Sequence, residues 1–203
     1  LTSGDDNTAI GNGAVWNITT GGENTALGRG AGELLTIATR NTLLGTWAGY
    51  RIKNGVAHTE NVLIGYTCGG GVWGSNVNTQ NIAIGKSAMG GSLDGADYNI
   101  CIGSSAGDTI TSGDNNICIG KTARTQSDGS NCITLGQEVS AASNNVVIGK
   151  PSNIIWNTFT NNATWSRSSD LRKKQDINDD TLGLSFIDNL KTKTFRWKPA
   201  NEF

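Results

Sequence analysis

Few residues of this chain have types that could carry out chemistry, and the first to consider lie near its C-terminal end. Ser169 and Lys174 lie in the charged stretch SSDLRKKQDINDD at 168–180. A serine hydroxyl becomes a good nucleophile when a nearby base removes its proton, and a lysine can be that base if burial lowers its pKa. One serine and one lysine at this spacing predict nothing by themselves, because such a run can equally be a solvated segment between two domains.

The other chemically interesting residues are few and favour structural roles. The 203 residues include four cysteines and one histidine, His58, and no Cys-x-x-Cys pair, so we expect no metal site and no cofactor. Cys68, Cys101 and Cys118 take positions where other repeats have alanine or another apolar residue, which predicts small buried side chains. The 16 basic and 17 acidic residues argue against nucleic-acid binding, and no apolar run is long enough for membrane insertion.

The cysteines and His58 lie in residues 1–150, a region built from a short repeated phrase, Asn-x-x-(Ile/Leu)-Gly. Consecutive repeat glycines are 17, 17, 20, 20, 18, 17, 16 and 13 residues apart. A phrase of fixed internal spacing with a variable remainder predicts a β-solenoid, in which each turn contributes one short strand and one loop. The repeat glycines are Gly11, Gly28, Gly45, Gly65, Gly85, Gly103, Gly120, Gly136 and Gly149.

Within each phrase, the residue before the glycine is a branched aliphatic, and the residue three before it is β-branched. These two positions share one face of a strand, and the mostly small residue between them points to the other face. Because both faces are apolar, one should fill the coil interior, and the other should be buried by association with identical chains. We expect the small residue to face outward, the asparagine to form a ladder or bond the turn backbone, and the glycine to adopt a special conformation.

The two longest loops, 46–60 and 66–80, contain the aromatic residues Trp47, Tyr50, Tyr66 and Trp73. Loops on a rigid scaffold often carry recognition, and exposed aromatics can stack on sugar rings or contact a protein partner. We therefore take these four residues as candidate binding residues. The alternative is that they cap the solenoid or pack between chains.

The repeat stops after Gly149. Residues 151–168 mix polar with β-branched and aromatic residues, which predicts one or two strands, with a turn near Asn161 and Asn162, forming an intertwined β neck. A second domain begins near Ser169 with a short helix and a strand at 191–198. Its 35 residues are too few for a core of their own, so we expect it to be the start of a small α+β domain.

The junction SDLRKKQDI, followed by KTFRWKP, resembles the start of the C-terminal intramolecular chaperone of phage tailspikes, endosialidases and long tail fibres. The family pattern Ser-Asp-x-Arg-x-Lys-x-x-Ile matches at Ser169, Asp170, Arg172, Lys174 and Ile177. The resemblance implies a domain that helps three chains to assemble and then cuts itself off. It implies cleavage of the Ser168–Ser169 bond, with Ser169 as nucleophile, Lys174 as general base, and Asp170 and Arg172 as motif residues.

The repeats of 1–150 are similar to the head repeats of trimeric autotransporter adhesins, which are parallel β-rolls. This resemblance implies a homotrimer. Together the two resemblances predict a structural virion protein, a phage tail fibre or tailspike that binds other tail or baseplate proteins and a host cell-surface receptor such as a glycan. The alternatives are a bacterial adhesin head and part of a polysaccharide-degrading tailspike.

Overall fold

The computed structural model describes residues 4–159 and 166–167, and over these residues the chain is an all-β parallel solenoid, as the repeat predicts. The strands are β1 (Thr8–Ile10), β2 (Thr25–Leu27), β3 (Thr42–Leu44), β4 (Val62–Ile64), β5 (Ile82–Ile84), β6 (Ile100–Ile102), β7 (Ile117–Ile119), β8 (Arg124–Thr125), β9 (Ile133–Gly136), β10 (Ser140–Ala141), β11 (Asn145–Lys150), β12 (Asn153–Thr158) and β13 (Ser166–Arg167). One strand from each coil stacks in parallel in a single sheet, in the order β1-β2-β3-β4-β5-β6-β7-β9-β11.

The repeat phrases stack in register although the coils differ in length. Thr42 pairs with Val62 across a 20-residue step, in the same way that Thr8 pairs with Thr25 across a 17-residue step. The additional residues of the longer coils therefore lie in the loops. Within the described ranges, no helix is long and apolar enough to cross a bilayer.

In strands β2–β7 the middle residue, which is mostly small, faces the coil interior, so the expectation that it faces outward is wrong. Ala26, Leu43, Leu63, Ala83, Cys101 and Cys118 are at most 1% exposed. The interior also holds the residue three positions after the repeat glycine, which is alanine in most coils, and a small middle residue fits beside it. Leu43 and Leu63 show that the interior accepts a leucine at the middle position as well. The residues on either side of the middle position point outward.

The outward residues immediately before the repeat glycines form a continuous column, which we call the aliphatic stripe. It consists of Ile10, Leu27, Leu44, Ile64, Ile84, Ile102 and Ile119. Six of the seven are 36% to 59% exposed, and Ile64 is partly buried. With strands about 4.8 Å apart, the stripe is roughly 30 Å long. Across strands β1–β7 the sheet thus presents an unbroken apolar column to solvent.

The asparagines that open the repeats form the predicted ladder through the coil interior. Each side-chain oxygen accepts from the backbone and side-chain N–H groups of the next asparagine, at 2.9–3.1 Å. The ladder runs through Asn7, Asn24, Asn41, Asn61, Asn81, Asn99 and Asn116. Cys132 occupies the next position, where its N–H bonds Asn116 at 2.9 Å, and Asn131 lies outside the ladder. The stretched repeat therefore replaces the ladder asparagine with a cysteine.

All four cysteines are buried free thiols, which confirms the prediction of Cys68, Cys101 and Cys118 as small core residues. Burial raises the pKa of Cys68 to about 12, so this thiol stays protonated and donates to the Ala83 carbonyl at 3.2 Å. Most other repeats have alanine at the position of Cys68, and a cysteine side chain is only slightly larger than that of alanine.

The repeat glycines have the special conformation expected of them, and they also allow coils to approach closely. Gly85 has a φ of 133°, which residues other than glycine rarely adopt. A Cβ atom at Gly85 would lie 2.5 Å from the carbonyl oxygen of Gly103 in the next coil. Each coil therefore rests backbone to backbone on its neighbour at these positions.

The stack ends in an antiparallel arrangement. Strand β11 turns at 151–152 into β12, which runs back along it, and β13 pairs antiparallel with β12. Strands within 151–168 were predicted, although an intertwined neck made with other chains stays a prediction. Contacts divide the chain into the units Leu1–Ser168 and Ser169–Phe203. The predicted turn near Asn161 and Asn162, the helix and strand, and the chaperone start all lie outside the described residues.

We expect Gly85→Ala to lower the free energy of unfolding by about 3 kcal/mol, because strain at φ 133° adds to the clash with Gly103. Gly55→Ala is the matched control, since Gly55 has a φ of 75° but nothing within 4 Å of the added methyl group. The control should cost only about 1 kcal/mol. Thermal and urea unfolding of both variants measure the difference, and equal losses would contradict the role given to coil contact.

Candidate binding site

Three of the four predicted aromatic residues lie together on the surface of the third and fourth coils. The Trp47 ring centroid is 6.0 Å from that of Tyr50 and 6.0 Å from that of Tyr66, with tilted ring planes. Tyr66 is 49% exposed, while Trp47 and Tyr50 are partly buried. Tilted pairs at this distance are a favourable aromatic geometry. We call Trp47, Tyr50 and Tyr66 the aromatic cluster.

A glycine in the preceding coil makes room for Trp47. Trp47 is the second residue after its repeat glycine, and Gly30 takes the same position one coil earlier. A Cβ atom at Gly30 would collide with the Trp47 indole. Trp47 itself has a φ of 57°, a left-handed conformation that costs about 1 kcal/mol or more for a residue other than glycine. The indole of Trp47 therefore lies over Gly30 of the preceding coil.

Two arginines lie beside the aromatic cluster, and neither of them was predicted from the sequence as a binding residue. The Arg29 guanidinium lies 5.4 Å from the centre of the Trp47 ring, and that of Arg51 lies 5.6 Å from the centre of the Tyr50 ring. A cation over an aromatic face within about 6 Å is an attractive arrangement. Arg29 could have been found from its register, because it follows its repeat glycine directly, as Tyr66 does.

Trp73 is not part of this surface, so the interpretation of Trp73 as an exposed binding aromatic is wrong. It is fully buried and fills the coil interior. It lies eight residues after its repeat glycine, as Leu93 does, and this column provides one large interior residue for each coil. That shared spacing is the sequence signal that could have identified Trp73 as a core residue. The column comprises Ile18, Leu35, Ile52, Trp73, Leu93 and Ile110.

His58 packs beside Trp73 in the interior, with the ring planes nearly perpendicular and the centroids 5.1 Å apart. Its Nδ1 accepts from the Asn78 backbone N–H at 3.0 Å, which places the proton of the neutral ring on Nε2. Nε2 of His58 and Nε1 of Trp73 are buried without a hydrogen-bond partner. Burial lowers the pKa of His58 from 6.5 to about 4, against the opposing attraction of Asp94.

The predicted cleavage residues, Ser169, Asp170, Arg172 and Lys174, lie outside the described residues, so their roles remain predictions. Among the residues that are described, no group of His, Cys, Asp and Glu side chains could hold a metal ion. Comparison with protein-family models, with curated proteins and with solved structures gives no match. This chain's own residues and the two resemblances of short phrases are therefore what can support a function.

We expect stability to fall as the pH is lowered from about 6.5 to about 4. The folded state keeps His58 neutral in this range, whereas the unfolded chain takes up a proton, so acid favours unfolding. The pKa shift of His58 corresponds to about 3 kcal/mol in the free energy of unfolding, and this amount is fully lost below pH 4.

Urea unfolding at several pH values, compared with His58→Asn, measures this effect. Asparagine is a suitable substitute because Asn78 occupies the position of His58 one coil later. The Asn78 carbonyl accepts from the ladder asparagine Asn61, as the His58 carbonyl accepts from Asn41. The variant should have the flatter profile between pH 6.5 and 4. Parallel profiles would mean that His58 does not control the acid sensitivity.

Proposed function

We propose that this chain is part of a homotrimeric attachment fibre of a bacteriophage tail. The solenoid of 1–150 forms a rigid shaft or tip that presents loops to a host cell-surface receptor, and 169–203 begin an assembly chaperone. In this proposal the protein is a structural component of the virion, and its other partners are tail or baseplate proteins. The single observation that carries the proposal is the exposed aliphatic stripe.

The stripe is a surface that a second copy of the chain would cover. Soluble monomers rarely leave a long continuous apolar surface in water, and such surfaces usually mark an interface. A fully buried isoleucine or leucine contributes about 1.5–3 kcal/mol, so covering the part still exposed is worth roughly 1 kcal/mol for each stripe residue. Rotational symmetry lets the same stripe on every chain be buried at one axis.

The number of chains, three, is supported by the resemblances and not by the stripe itself. The phrase Asn-x-x-(Ile/Leu)-Gly is similar to that of trimeric adhesin heads, and the junction phrase from Ser169 is similar to a chaperone that assembles trimers. The junction favours a phage fibre over a bacterial adhesin head, because such adhesins continue into a coiled-coil stalk, and no heptad pattern follows residue 150.

We expect the chain to have three times its monomer mass of 21.3 kDa in solution, and Ile102→Lys to dissociate it. A lysine in the stripe would bury a charge at the symmetry axis three times over, which no partner compensates. Ser104→Lys is the control, because it places the same charge two residues away, in a column that already contains Lys86 and Lys121.

Analytical ultracentrifugation of the wild-type chain and both variants tests this prediction. The control should keep the wild-type mass and Ile102→Lys should lose it. A monomeric wild-type chain, or an Ile102→Lys variant of unchanged mass, would refute the stripe as the interface. A dimer would keep the interface and reject the fibre architecture.

The predicted self-cleavage is tested on the complete parent protein by intact-mass analysis, with Ser169→Ala alongside. We expect the wild-type product to end at Ser168 and the alanine variant to stay whole, because alanine lacks the nucleophilic hydroxyl. Ser168→Ala is the matched control, since it changes the neighbouring serine and leaves the nucleophile in place. Two uncut proteins would remove the catalytic roles from Ser169 and Lys174.

A further inference from the structure

Two arginines beside the aromatic cluster are available to bind an anion. Among the side chains that the structure describes, Arg40 pairs with Glu60 at 2.9 Å and Arg124 pairs with Asp108 at 2.6 Å. Arg29 and Arg51 form no ion pair with a described carboxylate and lie over aromatic rings instead. A guanidinium can bind a carboxylate through two parallel hydrogen bonds, so this pair of exposed arginines suits an acidic ligand.

A trough begins at Tyr50 and follows the next two coils. Tyr50 is the fifth residue after its repeat glycine, and Gly70 and Gly90 take that position in the following coils, so no side chain stands beside the tyrosine ring there. The hydroxyl groups of Thr67 and Ser87, 3.0 Å apart, line the trough. Its volume is about 170 Å³, which is below the 300–1,000 Å³ usual for drug-sized ligands and favours a single ring.

These features together match the surface of one sugar residue. A pyranose has an apolar C–H face that stacks on aromatic rings, hydroxyl groups that bond serine and threonine, and, in acidic sugars, a carboxylate. We propose that the aromatic cluster and the trough bind an acidic sugar residue of a cell-surface polysaccharide. Its role in attachment rests on the proposed function, whereas the binding chemistry does not.

Arg51 is the residue that we assign to the ligand carboxylate. The Glu33 carboxylate lies 3.3 Å from the position a Cβ would take at Gly30, the residue next to Arg29 in the chain, and its charge would repel an acidic group approaching Arg29. Arg51 lies over Tyr50, the residue at the head of the trough. Only the Tyr50 side chain thus stands between the charge that selects the ligand and the space that holds its ring.

The test is an array of oligosaccharides ending in galacturonate, glucuronate or N-acetylneuraminate, each beside its neutral counterpart, probed with the full 203-residue chain. We expect binding to at least one acidic series, at least tenfold tighter than to its neutral counterpart. No binding to any acidic series would overturn the proposal, as would equal binding to both forms.

The chain itself supplies variants that should keep the fold. Trp47→Gly copies Gly30, and Tyr50→Gly copies Gly70, in each case the residue at the same position of a neighbouring coil. Each should weaken binding at least tenfold. Arg51→Gln should reduce acidic binding to the level of the neutral counterpart without changing neutral binding.

Two controls separate the site from the surface in general. Arg40→Gln removes an arginine that is already ion-paired, and Tyr98→Asn removes an aromatic that is 54% exposed and lies outside the cluster. Neither should change binding. Unchanged binding by Trp47→Gly and Tyr50→Gly would overturn the assignment of the site.

The mass of each variant distinguishes this inference from the proposed function. If Trp47→Gly dissociates the assembly, the aromatic cluster packs between chains and the sugar site is refuted, while the fibre proposal stands. If acidic sugars bind to a wild-type chain that is monomeric, the sugar site stands and the fibre proposal fails. Retention of the assembly with loss of binding supports both.

Discussion

The whole solenoid depends on the close contact of backbone with backbone at the repeat glycines. Because a Cβ atom there would clash with the carbonyl oxygen of the next coil, each coil must repeat the path of the one before it. The asparagine ladder reinforces the same register, since one side-chain oxygen bonds two N–H groups of the next coil. Buried amides held in this way are costly to disrupt, because an unpaired group would have no access to water. Strand pairing is then a consequence of this stacking.

This constraint fixes one part of each coil and leaves the rest free to vary. The strand and the turn after it repeat closely, whereas the far loop accepts up to three additional residues without any change of register. Outward positions also vary freely, but their neighbours one coil away must allow for them, as Gly30 does for Trp47. A surface site on such a scaffold is therefore built across coils, from residues at equal positions in successive repeats. The trough follows this rule, with Tyr50, Gly70 and Gly90 at one repeat position and Thr67 and Ser87 at another.

The period, the strand positions, the asparagine ladder and the glycine conformation could be predicted from sequence because each is tied to one residue type. The direction of the strand faces could not, because both faces are apolar and alternation alone does not say which is inside. The packing of the middle residue against the facing turn, where Ala31 and Ala48 are also buried, decides it, and alternation along one strand does not show that packing. Trp73 was misassigned for a related reason, since its loop position hid a core column. The left-handed corners, as at Tyr98 and Asn115, have no residue type in common and give no signal.

The stripe also bears on why a fibre of this kind would need help to assemble. Contacts in a solenoid join neighbouring coils, so folding can propagate from coil to coil without long loop closure. Every partly folded chain nevertheless exposes an open strand edge, and even the finished coils expose the aliphatic stripe. Both features favour non-specific association over the correct symmetric one. Holding three chains together at one end would raise their effective concentration and align the stripes before other contacts form. The proposed chaperone beginning at Ser169 would therefore act on alignment, since the folding of each coil is already determined by its own repeat.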